Sequence, residues 1–292
     1  MPSNRRAVLA AMAASALGGC ASTAGTTDGG RSASGVPSLG SRTPSLGPRS
    51  ATPAAASTVT RAQVVARYGR LKPHTWGFGA PGVVRALPTT RRVIALTFDA
   101  CGGPGGSGYD HKLISFLRHR EIPATFFLNA RWIDANPAAF HRLATEPLFE
   151  IGNHGTRHRP LSVTGRSAYG IAGTRNAGEV YDEVAGNHTK LTRLLGAPPR
   201  LFRSGTAYCD DVAARIVTDL AERCVSFSVN GDGGATFTPE QVRRTVTAAP
   251  DGSIVICHMN HPESGTARGI AAAVPHLLAS GHHFVRLSDE LH

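Results

Sequence analysis

Six side chains in this chain have types and settings that suit acid, base or metal chemistry: Asp99, His154, His158, Arg203, Asp232 and His258. Asp99 ends the run Val93-Ile94-Ala95-Leu96-Thr97-Phe98 and is followed by Ala100-Cys101-Gly102-Gly103, so an apolar, β-rich stretch delivers one acid to a glycine turn. The carboxyl ends of strands in parallel sheets and barrels are where ligands bind, which makes Asp99 a candidate base or metal ligand. An Asx turn that merely closes the strand is the structural alternative. His154 and His158 lie in Asn153-His154-Gly155-Thr156-Arg157-His158. On a helical turn, neutral imidazoles at this spacing project to one side and share one cation. With 13 histidines in the chain, a pair of surface residues at the same spacing is the bland reading. His258 closes Ile254-Val255-Ile256-Cys257, with His261 in the polar loop beyond. An imidazole whose ordinary pKa is about 6.5 suits general acid or base work, against the alternative of a core histidine bonded to a carbonyl. Arg203 ends an apolar strand, where an unpaired guanidinium is costly, so it calls for a carboxylate in the site; Glu150 and Asp211 are the structural alternatives.

The elements that must position these residues follow from the apolar pattern. Strand-like runs recur at Val93 to Phe98, Ala124 to Leu128, Phe149 to Gly152, Arg200 to Arg203, Cys224 to Val229, Ser253 to Cys257 and His283 to Leu287. Helical spacing fills Asp110 to Arg120, Ala135 to Thr145, Ala177 to Leu195, Asp210 to Arg223, Pro239 to Ala248 and Thr266 to Ser280. Alternation of this kind predicts parallel βαβ units in an α/β fold, and periodicity does not decide between an open sheet and a closed barrel. Reactive residues follow the first, third, fourth, fifth and sixth strands, all at carboxyl ends, and would converge on one mouth. Segment Arg61 to Thr90, with Trp76, reads as a lead-in that packs on the body.

Taken in order, these residues resemble the polysaccharide deacetylase family, the NodB-homology or carbohydrate esterase 4 domain, over about Arg91 to Leu287. Thr97-Phe98-Asp99 matches the first family motif, which Ala100 breaks where a second Asp is usual. His154 and His158 match the second, with Gly155 at its hydroxyl position. Arg203 and Tyr208 match the third, although Ser204-Gly205-Thr206-Ala207 is longer and lacks the proline. Asp232 is the best match to the fourth, and Ile256-x-His258 matches the fifth. The changed Ala100-Cys101-Gly102-Gly103 marks a divergent branch of the family.

The resemblance implies a distorted (β/α)7 barrel and hydrolysis of acetyl groups, N-acetyl foremost, on a glycan. It implies a divalent metal, zinc by preference, at His154 and His158, with Asp99 as general base oriented by Arg203. It further implies His258 as general acid held by Asp232, oxyanion support from a backbone N–H near Tyr208, and Ile256 in the pocket for the acetyl methyl. Ala100 stands where the family places its third metal ligand, so Asp99 itself, Asp232 or another acid such as Asp110 must complete the set, or the metal has been lost. Three readings follow: a metal-dependent deacetylase, a glycan-binding pseudoenzyme on the same fold, and a hydrolase of a non-sugar amide.

The N-terminus is expected to carry an address rather than chemistry. Asn4-Arg5-Arg6 precedes a short apolar run and Leu17-Gly18-Gly19-Cys20, which resembles the lipobox of bacterial lipoproteins; the arginine pair also resembles a twin-arginine signal. Residues 1–20 are therefore expected to be an export signal with Cys20 as a lipid anchor, a plain secretory signal being the alternative. Residues 21–60, rich in Ala, Ser, Thr, Gly and Pro, are expected to be a flexible linker, and residues 61–292 the deacetylase-like domain. No apolar run reaches the roughly 18 residues of a membrane-spanning helix. The net charge of +11 is scattered and has no aromatic-interleaved stripe, which favours an anionic envelope or acidic glycan over nucleic acid as neighbour. An anchored protein of the periplasm or cell surface, acting on peptidoglycan or an exopolysaccharide, is the expected setting. Cys101, Cys209, Cys224 and Cys257 allow two disulfides after export, and Cys101 as a nucleophile would instead make a thiol hydrolase.

Overall fold

The computed structural model describes residues 59–291; the expected export signal, Cys20 and all but the last two residues of the expected linker lie outside them. Helix α1 (Arg61–Tyr68) leads into two short strands, β1 (Trp76–Gly77) and β2 (Val83–Val84), before the long buried strand β3 (Val93–Ala100). Then come α2 (His111–His119), β4 (Ala124–Leu128), α3 (Ala130–Ala135), α4 (Pro137–Ala144), β5 (Phe149–Asn153) and the long helix α5 (Ala177–Leu195). The remainder runs β6 (Leu201–Phe202), β7 (Cys209–Asp210), α6 (Asp211–Asp219), β8 (Arg223–Val225), β9 (Val229–Asn230) and α7 (Pro239–Thr247). It closes with β10 (Ile254–His258), α8 (Thr266–Ala279), β11 (His283–Phe284) and α9 (Leu287–Glu290). Among the described residues no helix is long and apolar enough to cross a membrane.

Every strand and helix expected from the apolar pattern has a counterpart, but the run expected over His283 to Leu287 is strand only at His283–Phe284, with Leu287 opening α9, and three other differences stand out. The strand expected over Cys224 to Val229 is broken into β8 and β9. The strand ending at Arg203 is reduced to two residues. A separate helix, α3, precedes α4, capped by the Asn129 side chain, which accepts from the Arg131 N–H. The lead-in packs on the body through α1, whose Val64 and Tyr68 join Val180 and Val184 of α5 in one apolar cluster.

The principal sheet has the order β2-β8-β6-β5-β4-β3-β10-β9, all pairs parallel, with β11 added beside the start of β3. β8 and β9 sit far apart in that order yet are separated in the chain only by Ser226, Phe227 and Ser228. One bent segment therefore joins β6 to β10 and curls the sheet into a distorted barrel. An antiparallel bridge between Ala86 and Ser253 ties the lead-in across the same seam.

Strand pleating explains how the barrel carries a site. Alternate residues of β3 face opposite sides. Ile94, Leu96, Phe98 and Ala100 pack outward into the cluster under α2 and α8. Val93 and Ala95 face inward with Phe127, Leu201, Val225 and Ile254. The next inward positions are Thr97 and Asp99, so the interior changes from apolar to polar toward the carboxyl ends. Register then places Ile256 beside Thr97 and His258 beside Asp99, about 4.8 Å away across the sheet.

Candidate active site

Asp99, 3% exposed, is held by Arg203 on one side and touches His154 on the other. Its Oδ1 accepts from Nη1 of Arg203 at 2.8 Å, and its Oδ2 lies 3.5 Å from Nε2 of His154. Arg203 is fully buried; it also donates to Thr97 Oγ1 and to the Ser226 carbonyl, and its guanidinium lies 4.1 Å from the centre of the Phe127 ring. That ring needs the space beside Gly152, where an added Cβ would come within 2.7 Å of it. Neither Glu150 nor Asp211 pairs with Arg203. Glu150 accepts from the Thr125 hydroxyl, and Asp211 accepts from the backbone of His74 and Thr75. Burial pushes the Asp99 carboxyl up, but Arg203, His154 and His258 together hold it below the ordinary carboxylate value.

Across the sheet, His258 is paired with Asp232, which follows β9. Asp232 Oδ1 accepts from Nδ1 of His258 at 3.0 Å, while Oδ2 accepts from the His258 backbone N–H and the Thr266 hydroxyl. Nδ1 therefore carries the proton toward the acid, and Nε2 is left for whatever enters the site. Burial pulls His258 down, yet Asp232 and then Asp99 raise it above the ordinary histidine value. Asp232 stays ionised: burial is outweighed by His258 and by its hydrogen bonds.

His154 and His158 are not on a helical turn. His154 directly follows β5, and Gly155 and His158 both take left-handed backbone, with φ of 77° and 62°. The loop that results brings the two rings together at right angles, centroids 4.9 Å apart. Nδ1 of His154 donates to the Arg203 carbonyl at 2.9 Å, so Nε2 offers its lone pair to the site. Nε2 of His158 is buried and has no partner among the described residues. Burial is the main reason that both imidazoles sit below the ordinary histidine value, His158 well below it, and both are neutral ligands in waiting.

Two residues from outside the second motif, Glu183 and Gly205, shape this loop. Glu183 of α5 accepts from the backbone N–H groups of Arg157 and Arg159, and a Cβ on Gly155 would lie 2.5 Å from its carboxylate. Gly155 thus stands where a hydroxyl is usual because the space belongs to Glu183. Gly205 lies against the backbone of His158, where an added Cβ would come within 2.2 Å of its carbonyl carbon. The longer third motif therefore supplies the gap into which His158 folds. Behind the loop, Asn153 donates to Glu222, which also meets His188; burial pushes the Glu222 carboxyl up to about 7. The distance of Glu183 and Glu222 along the chain hid both from any local motif.

Of the acids expected to complete the ligand set, Asp99 is the one that reaches the histidines, its Oδ2 3.5 Å from Nε2 of His154. Asp110 caps α2 by accepting from the Leu113 N–H, and Asp232 is committed to His258. Asp99 touches His154, but the ligand atoms that converge are those of Cys101, His154 and His158, all within 4.8 Å of one another. Sγ of Cys101 lies 3.9 Å from Nε2 of His154. Ala100 faces the outer core, so its side chain does not point at the site at all. An orphaned buried imidazole nitrogen, a second imidazole with its lone pair presented and a sulfur beside them fit a divalent cation. All four cysteines of the described residues are free thiols. Burial and Asp99 push the Cys101 thiol up, the wrong direction for a nucleophile.

Asp99, His158, Ile256 and His258 line one cavity of about 410 Å³, together with Phe78, Phe227 and Tyr169. Tyr208 lies beside it rather than in its lining; its ring packs on Trp76, Phe78 and Tyr169, and its N–H is turned to the Thr206 hydroxyl at 3.4 Å. Tyr169 stands 73% exposed at this aromatic edge. His261 is outside the constellation, its Nδ1 3.5 Å from Oε1 of Glu263.

A parallel (β/α) barrel with carboxylates, an arginine and imidazoles gathered at the carboxyl ends of its strands is a fold of the NodB kind. Residues 86–225 match the family model described as polysaccharide deacetylase. Among curated relatives, a bifunctional xylanase/deacetylase of Pseudobutyrivibrio xylanivorans is 21% identical over 200 residues, covering 68% of this chain and 30% of the relative. The peptidoglycan-N-acetylmuramic acid deacetylase PdaA of Bacillus subtilis is 22% identical over 209 residues, covering 69% and 72%. The chain thus spans less than a third of the first relative and most of the second. Among solved structures, a carbohydrate esterase 4 family pseudoenzyme from Bacillus anthracis superposes with a TM-score of 0.61 at 19% identity, over 73% of this chain and 70% of that one, which shows the shared fold.

Proposed function

We propose that this domain is a metal-dependent hydrolase that removes acetyl groups, N-acetyl foremost, from a cell-envelope or extracellular polysaccharide. The observation that carries the reading is that Asp99 bonded to Arg203, His258 bonded to Asp232 and His158 with its unpartnered Nε2 open into one cavity. His154 and His158 would hold a divalent cation, which would supply polarisation of the acetyl carbonyl and a more acidic water.

The chain's own residues supply the proton chemistry. Asp99, kept ionised and aimed by Arg203, accepts the proton of the attacking water. His258, kept protonated by Asp232, delivers a proton from Nε2 to the departing amine nitrogen, so that water is split into the hydroxyl of acetate and the hydrogen of the freed amine. The two groups are pushed in opposite directions by their partners, which is how one site holds an acid and a base at the same pH. Ile256 lines the cavity beside them as an apolar wall suited to the acetyl methyl. The aromatic edge of Trp76, Phe78, Tyr169 and Tyr208 suits stacking on sugar rings.

Export, anchoring at Cys20 and action on peptidoglycan or an exopolysaccharide belong to the same proposal and rest on the residues before 59. Ala100 favours a second reading, a glycan-binding protein without turnover. Acetate release from N-acetylated glycans and from simple acetamides, measured for the zinc-loaded wild type, Asp99→Asn and His258→Ala, separates these. The deacetylase reading requires release from the glycan that falls in both variants by about 10²-fold or more. Glycan binding with no acetate from the wild type establishes the second reading, and release from simple amides alone points to a non-sugar substrate.

A further inference from the structure

We infer that Cys101 is a metal ligand, its thiolate completing a Cys-His-His set with His154 and His158 that takes a borderline-soft divalent cation of the zinc and cobalt class. The inference deepens the hydrolase reading and rests on it for the role of the cation.

Strand parity provides the first argument. β3 turns Thr97 and Asp99 inward and Ala100 outward, so the next residue on the Asp99 side is Cys101. The place left without a ligand at Ala100 is thereby filled one residue later. Gly102 and Gly103 make this possible, since both take left-handed backbone and a Cβ on Gly102 would meet the Trp132 backbone nitrogen at 2.5 Å. The turn is closed by Gly102 donating to the Gly106 carbonyl, and Arg131 donates to the Cys101 carbonyl.

Spacing provides the second. In a tetrahedral zinc site with Zn–S of about 2.3 Å and Zn–N of about 2.0 to 2.1 Å, sulfur and nitrogen lie about 3.6 Å apart. Sγ of Cys101 and Nε2 of His154 are 3.9 Å apart. The third ligand atom, on His158, falls within the 4.8 Å that bounds the group. Three protein donors leave a fourth position open, the arrangement of catalytic rather than structural zinc.

The surrounding bonds provide the third. Zinc-bound histidines usually donate their other ring N–H to a carbonyl or carboxylate, and His154 donates Nδ1–H to Arg203. Nε2 of His158 is a buried polar atom without a partner among the described residues, a state that a cation would relieve. A thiolate also carries the same single negative charge as the aspartate usual in the family, so the net charge of the loaded site is unchanged. What changes is softness: sulfur favours zinc and cobalt over magnesium, calcium and manganese. On binding, the thiol proton leaves to solvent as the metal–sulfur bond forms.

The test is cobalt(II) titration of the metal-free full chain, followed in the near ultraviolet, where a sulfur-to-cobalt charge-transfer band reports a thiolate ligand. Wild type and Cys257→Ser, whose buried thiol is outside the group, are expected to show the band. Cys101→Ser is expected to lose it and to bind zinc more weakly by at least the roughly 100-fold that marks the upper end of outer-ligand losses. Cys101→Asp is expected to keep visible cobalt bands without charge transfer, which also shows that the site still folds. Cobalt bound by the wild type with no charge-transfer band, or a band that survives in Cys101→Ser, overturns the ligand while leaving the hydrolase reading standing. An intact band with no acetate release from any substrate leaves the ligand in place and sinks the hydrolase reading instead. A wild type that binds neither cobalt nor zinc overturns both.

Discussion

Arg203→Met is the perturbation that most directly probes how the barrel tolerates an ionised acid in its interior. The guanidinium is fully buried, donates to Asp99, Thr97 and the Ser226 carbonyl, and lies over Phe127. Met keeps most of the volume and can pack on the ring, so what is lost is chiefly the partner of a carboxylate that is only 3% exposed. Removing one member of a buried pair costs about 3–5 kcal/mol, because the remaining charge is stranded. In urea, with an m value of about 2.5 kcal/mol/M, the midpoint is expected to fall by about 1–2 M near pH 7.

The pH dependence carries the sharper sign. In the wild type the folded-state pKa of Asp99 lies below its unfolded value, so the pair's contribution is present above the ordinary carboxylate range and is lost as pH falls through the lowered value. In Arg203→Met, burial is opposed only by His154 and His258, and the folded-state pKa is expected to rise above the unfolded one. The variant is then most stable where Asp99 is protonated and loses stability as pH rises through the raised value. The gap between the two proteins should therefore narrow at about pH 4 relative to pH 7 in chelated samples. A gap below about 1 kcal/mol at pH 7, or one that does not shrink in acid, would refute the claim that Arg203 keeps Asp99 ionised.

Two further outcomes follow from the same geometry. Asp232→Asn removes the charge that raises His258, so kcat should fall within the 10²–10⁴-fold range, roughly, of general acid catalysis, and the alkaline limb of the pH–rate profile should move to lower pH; an unmoved limb means that His258 is not the acid. Gly205→Ala puts a methyl 2.2 Å from the His158 carbonyl carbon, more than 1 Å inside ordinary contact; this should cost about 1–3 kcal/mol in urea unfolding and release zinc more readily, whereas unchanged stability and metal retention would show that the loop yields freely.

Most of the barrel was legible because hydrophobic runs are short-range facts. The longer buried strands β3, β4, β5 and β10 announce themselves by composition, and the helices between by spacing and by caps such as Thr238 before Pro239, whereas the two-residue β7 overlaps the start of a segment read as helix from Asp210. The split between β8 and β9 was not legible, since continuity of an apolar run does not reveal which neighbours it pairs with. Helix α3 was missed because its start depends on an Asn129 cap read more easily as a strand end. At the site, the strand-end positions of Asp99, Arg203 and His258 were visible, and the ordered resemblance supplied Asp232 and the roles.

The sequence alone thus determined the parallel α/β class, the clustering of reactive residues at one set of strand ends, and the break at Ala100. The tertiary structure decided what fills that break, because the inward path of Cys101 depends on β3 keeping its pleat into a glycine turn braced by α3. It also decided that the histidines meet through left-handed backbone rather than a helix, held by Glu183 and made room for by Gly205. Burial and the partners that offset it, Arg203 for Asp99 and Asp232 for His258, move the carboxyl below and the imidazole above their ordinary values. Local patterns choose elements, whereas protonation and ligation arise from contacts between residues distant in the chain.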